Sequence, residues 1–108
     1  MKPQIKLWCE RNGYDSTLDI FYIREANVIN KALTGFTASE LNSYIGSKDR
    51  ITRNHLNSEL NKAIEMLEST NTNLLMSDLD FEFRKNVIET VCENKYPHLY
   101  INKIKEVS

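Results

Sequence analysis

The sequence predicts an all-α protein, a compact bundle of about five helices. Three observations indicate this class. Apolar residues recur at spacings of three and four in successive segments, as they do along one face of an α-helix. Serine, threonine, glycine and proline fall where helices usually begin and end. No segment combines clean alternation of polar and apolar residues with hairpin turn chemistry, so strands are not expected.

The composition is typical of one globular domain over residues 1–108. Hydrophobic residues make up 41% of the chain and charged residues 27%, which suits a single core with little room for a deep cleft. No run approaches the about 20 apolar residues of a membrane span, and the N-terminus lacks the pattern of a signal peptide. We therefore expect a cytoplasmic protein with no membrane partner. Cys9 and Cys92 lie among apolar neighbours, so we expect buried free thiols.

The first two helices are predicted from their caps and their apolar spacing. The first runs from about Pro3 to Asn12, because proline suits the first helical turn. The second runs from about Ser16, a capping residue, to Thr34. Ile20, Ile23 and Val28 widen the apolar stripe of the second helix. We therefore expect this helix at the centre of the fold, covered on more than one side.

Gly46 lies between the predicted third and fourth helices. The segment Thr37-Ala38-Ser39-Glu40 is a capping box that opens the third helix. Gly46 is predicted to close that helix in a left-handed conformation. The fourth helix is predicted from about Lys48 or Asp49 to Glu68, with Ile51 in its inward stripe.

The last third of the chain contains one more clear helix. The polar stretch Ser69–Asn73 predicts a break, and Asn73–Met76 is the only short apolar run that fits an extended segment. The fifth helix is predicted from Ser77 to about Asn94, with Pro97 at the usual distance for a stop. The tail from His98 to Val107 fits either another short helix or a strand-like cap.

The sequence has none of the short motifs of common enzymes. There is no phosphate-binding loop, HExxH, CxxC or GxSxG, and the two histidines are 43 residues apart. Asp78, Asp80 and Glu82 are close together, but the first turn of a helix keeps carboxylates charged and hydrated, whereas general acid–base catalysis needs a desolvated one. We therefore predict a protein that is not an enzyme and that needs no cofactor or metal.

A stretch rich in acidic side chains, residues 59–93, predicts the leading candidate for a protein-binding surface. Residues 59–93 contain three basic and eight acidic side chains, a net charge of −5. One acidic face across the fourth and fifth helices would steer a partner protein with a basic surface. Immunity proteins, antitoxins and phage-coded inhibitors act in this way as a class; the alternative is a face that only keeps the protein hydrated. The predicted contact residues are Glu68, Asp78, Asp80, Glu82, Glu89 and Glu93.

A second hypothesis places a helix-turn-helix in the central hairpin, residues 36–60. In that motif the start of the second helix contacts base edges in the major groove, where arginine suits guanine and asparagine suits adenine. Ile51 and Leu56 are each one position out of the usual apolar phase, so an ordinary hairpin with a hydrated basic turn is the alternative. The residues predicted to contact double-stranded DNA, within the segment Ser47–Asn54, are Lys48, Arg50, Arg53 and Asn54.

Aromatic side chains cluster near the C-terminus. Tyr96, His98 and Tyr100 surround Pro97. If they are exposed, they form the kind of aromatic cluster that anchors a partner protein.

Overall fold

The computed structural model describes residues 1–102, and in that range it contains five α-helices, one short 3-10 helix and no strand. The predicted all-α bundle of about five helices is therefore confirmed. None of the described helices is both long enough and apolar enough to cross a bilayer. Residues 103–107 of the predicted element from His98 to Val107 lie outside the described residues. The helices are α1 (Lys2–Arg11), α2 (Asp19–Thr34), α3 (Ala38–Gly46), α4 (Arg50–Met76), α5 (Phe81–Lys95) and the 3-10 helix Pro97–Leu99.

Two clusters of buried apolar side chains form the interior. The smaller cluster joins α1 to the C-terminal end of α4 and contains Ile5, Trp8, Cys9 and Leu75. The larger cluster lies between α2, α3, α4, α5 and the 3-10 helix and contains Ile29, Leu33, Leu41, Ile45, Leu60, Ala63, Leu67, Ile88, Cys92 and Leu99. Both cysteines are free and buried, as predicted. Helix α2 contacts every other helix, so it occupies the centre of the fold.

A buried ion pair separates the two clusters. Glu25 of α2 and Arg84 of α5 are 2% and 1% exposed. Nη1 of Arg84 donates hydrogen bonds to both carboxylate oxygens of Glu25 and, at 3.1 Å, to Oδ1 of Asn71 on α4. Along α4, Asn71 lies four residues from Leu67 in the larger cluster and four from Leu75 in the smaller one. The three polar side chains form a layer between the clusters, the polar layer, that ties α2, α4 and α5 together.

Side chains of α1 form hydrogen bonds with the turn between α4 and α5. The backbone carbonyl of Leu79 accepts hydrogen bonds from Nε1 of Trp8 at 3.0 Å and from Nε of Arg84 at 3.1 Å. Asp78, with φ at 58°, accepts a hydrogen bond from Nε of Arg11 at 3.2 Å. These bonds fix the place where α5 begins, because they hold both residues that precede Asp80.

The predicted end of α4 is wrong. The residues Ser69–Asn73 are helical, and so is the run Asn73–Met76, because α4 continues to Met76. The physical reason is that Asn71 faces inward and bonds to the polar layer, so tertiary contacts keep a polar stretch helical. The helix ends where Asp78 adopts a left-handed conformation and its N–H donates to the carbonyl of Leu75 at 2.9 Å.

Three other predicted helix ends differ from the structure. Helix α2 begins at Asp19, three residues after Ser16. Helix α5 begins after Asp80 and not at Ser77, because the Asp80 carboxylate accepts the hydrogen bond that caps the helix. Gly46 is the last residue of α3 and is not left-handed. Such differences of one turn leave the order of the helices unchanged.

Three isoleucines that were predicted to face inward are exposed. Ile20 and Ile23 of α2 are 64% and 57% exposed, because the inward face of α2 runs through Ile29 instead. Ile51 is 83% exposed, because the first turns of α4 extend beyond the core and Leu60 is the first buried residue of that helix. Isolated apolar residues at a protein surface are common.

The buried pair allows a test by a double-mutant cycle. We expect Glu25→Leu and Arg84→Met each to lower the free energy of unfolding by about 3–5 kcal/mol, because each leaves a charge buried without its partner. The double variant should lose less than either single variant. Urea unfolding followed by circular dichroism measures all three values. Losses that simply add in the double variant would show that the two residues are not coupled.

Two glycines provide a matched pair of substitutions. Gly35 has φ at 82°, and a Cβ there would lie 2.7 Å from Cβ of Asn102 and 2.9 Å from the Tyr100 ring. Gly46 is helical with no atom within 4 Å of an added Cβ. We expect Gly35→Ala to lower the melting temperature by at least about 4 °C and Gly46→Ala to raise it slightly. Thermal melts with the same sign for both variants would contradict this account.

Candidate binding site

A groove of about 820 Å³ lies between α2 and α5. This volume falls within the range of small-molecule sites, about 300–1,000 Å³. The wall contributed by α2 contains Arg24, Asn27, Val28, Lys31 and Ala32. The opposite wall, from α5 and the segment that follows it, contains Phe81, Lys85, Glu89, Cys92, Glu93, Tyr96, Pro97 and Tyr100.

The polar layer positions the groove. Glu25 and Arg84 join α2 to α5 directly, and their sequence neighbours Arg24 and Lys85 line the groove. Successive residues of a helix point in directions about 100° apart. One residue of each adjacent pair can therefore be buried while the other lines the groove.

Arg24 is held in place by an aromatic ring. Its guanidinium carbon lies 3.8 Å from the centre of the Phe81 ring and 5.5 Å from that of Phe21. Its Nε is buried without a hydrogen-bond acceptor. In the described range the ion pairs are Arg11–Asp78, His55–Glu59 and Arg84–Glu25. The positive charge of Arg24 is therefore not matched by any carboxylate of residues 1–102.

An acidic stripe follows one side of α5. Glu82, Glu89 and Glu93 lie at positions i, i+7 and i+11 of the helix, which return to the same side. Glu89 and Glu93 also line the groove. Burial, followed by the charges of Glu89 and Glu93, raises the pKa of the Cys92 thiol to about 11. Cys92 is therefore a neutral thiol at neutral pH, and thiolate chemistry is not expected in the groove.

The six predicted acidic contacts do not lie on one surface. Glu68 is on the opposite side of α4 from Met66, whose Sδ contacts the C-terminal end of α5. Asp78 pairs with Arg11 on α1. Asp80 caps α5 by accepting a hydrogen bond from a backbone N–H at 2.8 Å. The structure brings together three of the six, which are the carboxylates of the acidic stripe.

Helices α3 and α4 form the predicted central hairpin. Its three-residue turn leads from Ser47 to Asp49, and the predicted capping box at the start of α3 is confirmed. Asp49 caps α4 and accepts hydrogen bonds from the N–H and hydroxyl of Thr52 at 2.9 and 3.0 Å. These two bonds lower the pKa of the Asp49 carboxyl. Nζ of Lys48 lies 4.6 Å from the centre of the Tyr44 ring.

The start of α4 projects from the core. Residues 50–59 include none of the buried residues of this 27-residue helix, which at 1.5 Å per residue spans about 40 Å along a protein 44 Å long. Arg53 is half-buried, and neither it nor Arg50 forms an ion pair within residues 1–102. One exposed face of α4, the Arg/Asn face, carries Arg50, Asn54, Asn57 and Asn61 at i, i+4, i+7 and i+11.

The C-terminal aromatic residues divide between the groove and the surface. Tyr96 and Tyr100 line the groove, whereas His98 is exposed with its ring 6.5 Å from that of Tyr96. No group of three or more His, Cys, Asp or Glu side chains within residues 1–102 is arranged to hold a metal ion. Tyrosines that line a groove can both pack against a partner and donate hydrogen bonds to it.

Sequence reasoning missed the groove and its basic residues. One signal was present, because Glu25 lies four residues before Ile29 and Arg84 lies four residues before Ile88, so both charges fall in the inward stripes of their helices. Charged residues at such positions are usually buried with a partner. The spacing does not say which charge pairs with which, so the position of Arg24 beside the groove could not be inferred.

No family model matches the chain, and neither a curated protein nor a solved structure matches it. A function is therefore inferred from three features of the surface. These are the groove, the acidic stripe on α5 and the Arg/Asn face of α4.

Proposed function

We propose that this is a small, non-enzymatic cytoplasmic protein that regulates or neutralises a basic protein by binding it. Immunity proteins, antitoxins and phage-coded inhibitors act in this way as a class. The observation that carries the proposal is the acidic stripe, Glu82, Glu89 and Glu93, which follows one side of α5 next to the groove.

In this proposal the acidic stripe raises the association rate, and the groove adds contact energy. Three carboxylates along one side of a helix attract a positively charged surface from a distance and raise the association rate. Tyr96 and Phe81 in the groove wall offer aromatic surface to an inserted side chain, and aromatic residues dominate the energy of many interfaces. The proposed contact surface is therefore the face of the protein where α2 and α5 lie side by side.

The remaining acidic residues have structural roles in this proposal. Asp78 and Asp80 hold the turn and the cap that set where α5 begins. Glu68 lies on α4, away from α5. Of the predicted contacts, the proposal therefore keeps the three carboxylates on α5 as those that meet the partner.

A second candidate function is binding of double-stranded DNA by the central hairpin. The observation that favours it is the Arg/Asn face at the projecting start of α4, since arginine and asparagine are the side chains that suit base edges. Lys48 and Arg53 would then contact phosphates beside it. Net charge is −1 for the whole chain, so any DNA contact must be confined to this end.

The protein-binding proposal can be tested by charge reversal. We expect Glu82→Lys/Glu93→Lys to slow association with a partner isolated from the native host at least tenfold at low salt, because steering by the acidic stripe is lost. Surface plasmon resonance with the purified partner measures the rate. Asp80 is unsuitable for reversal, because it also caps α5.

A control variant, Glu10→Lys/Glu65→Lys, changes the net charge by the same amount at exposed positions on α1 and α4. Its association rate should stay within about twofold of the wild type, as for a charge outside the interface. Equal slowing by both variants would mean that only total charge matters. Unchanged rates for both would remove the acidic stripe from the interface.

The DNA-binding candidate is tested by a gel shift with a pool of random 30-base-pair duplexes. If it is correct, the wild type binds at low salt, and Arg50→Ala/Arg53→Ala weakens binding by about tenfold or more, because two contacts to bases or phosphates are lost. Lys6→Ala/Lys62→Ala removes two exposed charges elsewhere and should have a smaller effect. Binding that is absent in the wild type, or equal in both variants, rejects this candidate.

A further inference from the structure

We propose that the groove between α2 and α5 binds a small organic anion, a carboxylate or phosphate ester with an apolar body, and that Arg24 holds its charged group. This inference concerns the same groove that the proposed partner would contact, but it rests on Arg24 and not on the acidic stripe, so either proposal can fail without the other. It starts from the one guanidinium of the groove wall and the absence of a counter-charge for it in residues 1–102.

The position of Arg24 suits anion binding. The Phe81 ring lies 3.8 Å from the guanidinium carbon and so covers one side of the group. Its Nε is buried without an acceptor, and none of the ion pairs formed within the described range includes Arg24. The groove is then the direction from which an anion can reach the Nη groups. A planar guanidinium presents them in a geometry that matches carboxylate and phosphate oxygens.

The buried neighbour of Arg24 cannot supply the missing negative charge. The carboxylate of Glu25 is 2% exposed and accepts hydrogen bonds from Nη1 of Arg84 through both oxygens. Breaking that pair would leave two charges buried without partners. A ligand that brings its own negative charge satisfies Arg24 without disturbing the polar layer.

Charge varies along the groove and locates the anion at one end. Lys85 is one helical turn from Phe81 on α5, so a second positive charge stands close to Arg24. Glu89 and Glu93 lie one and two turns further along α5. Lys31 lies about two turns beyond Arg24 on α2, so the far end carries charges of both signs. The charged group of the ligand therefore belongs at the Arg24 end.

The rest of the groove suits an apolar body. Val28 and Ala32 of α2 face Cys92 and Tyr96 from the other wall, and the thiol of Cys92 is uncharged at neutral pH. Apolar walls with a few convergent polar groups are typical of small-molecule sites. A fused aromatic ring with one acidic substituent has this combination.

The test uses 2-naphthoate and 2-naphthyl phosphate as probes with the full chain, followed by ¹⁵N–¹H NMR titration. We expect saturable shifts at Asn27 and Lys85 and, for Arg24→Gln, a dissociation constant at least tenfold weaker, the loss expected for a charge-assisted hydrogen bond. Arg50→Gln removes a positive charge on the distant Arg/Asn face and should leave the constant unchanged. Tighter binding of one probe than the other identifies the carboxylate or the phosphate as the preferred group.

Two further measurements, one with a cationic probe and one with a second variant, can overturn the proposal. The cation 2-naphthylmethylammonium should bind at least tenfold more weakly than 2-naphthoate, and equal binding would show that only the ring is recognised. If Arg24→Gln does not fold, as judged by its circular dichroism spectrum, Lys85→Gln at an exposed position replaces it, and weaker naphthoate binding is again expected. Binding that is unaffected by these variants, or no binding at millimolar probe, overturns the inference.

Discussion

The fold depends on one buried ion pair, Glu25 with Arg84, and on the carbonyl and amide groups that complete it. The pair lies between two apolar clusters, one that joins α1 to the start of α2 and the end of α4, and one that joins α2 to α5. Since one charge without the other would be left buried at a large cost, the two helices that carry them must meet at this register. Asn71 and the carbonyl of Leu79 then bring α4 and the turn before α5 into the same arrangement.

The same arrangement creates the surface that a partner or ligand would meet. The buried pair Glu25–Arg84 holds helices α2 and α5 side by side. Arg24 and Lys85, the residues next to this pair in the sequence, line the groove. The same helical register therefore places both the buried and the exposed charges. The groove therefore has the basic residues Arg24 and Lys85 near the polar layer, and Lys31, Glu89 and Glu93 further along. At the other end of the molecule, the first turns of α4 have a surface of a different character, because none of residues 50–59 is fully buried and Leu56 only partly packs against the core.

Much of the fold follows from local physics and was predicted from the sequence. The order of the helices, the capping box at Thr37 and the two buried thiols follow from residues within one or two turns of each other. The errors have one physical origin. The end of α4 and the exposure of Ile51 depend on which other helix packs against a given turn, and spacing along one helix does not contain that information.

Composition and periodicity by themselves determined an all-α protein with amphipathic helices, free thiols and an excess of acidic side chains in its second half. Tertiary structure alone decided that Asp78 is bound to Arg11 of α1, whereas the alignment of Glu82, Glu89 and Glu93 along α5 follows from helical spacing. It also decided that Arg24 stands uncompensated beside a groove. The reason is that pairing between charges depends on distances across helices, and these are fixed only when the helices pack.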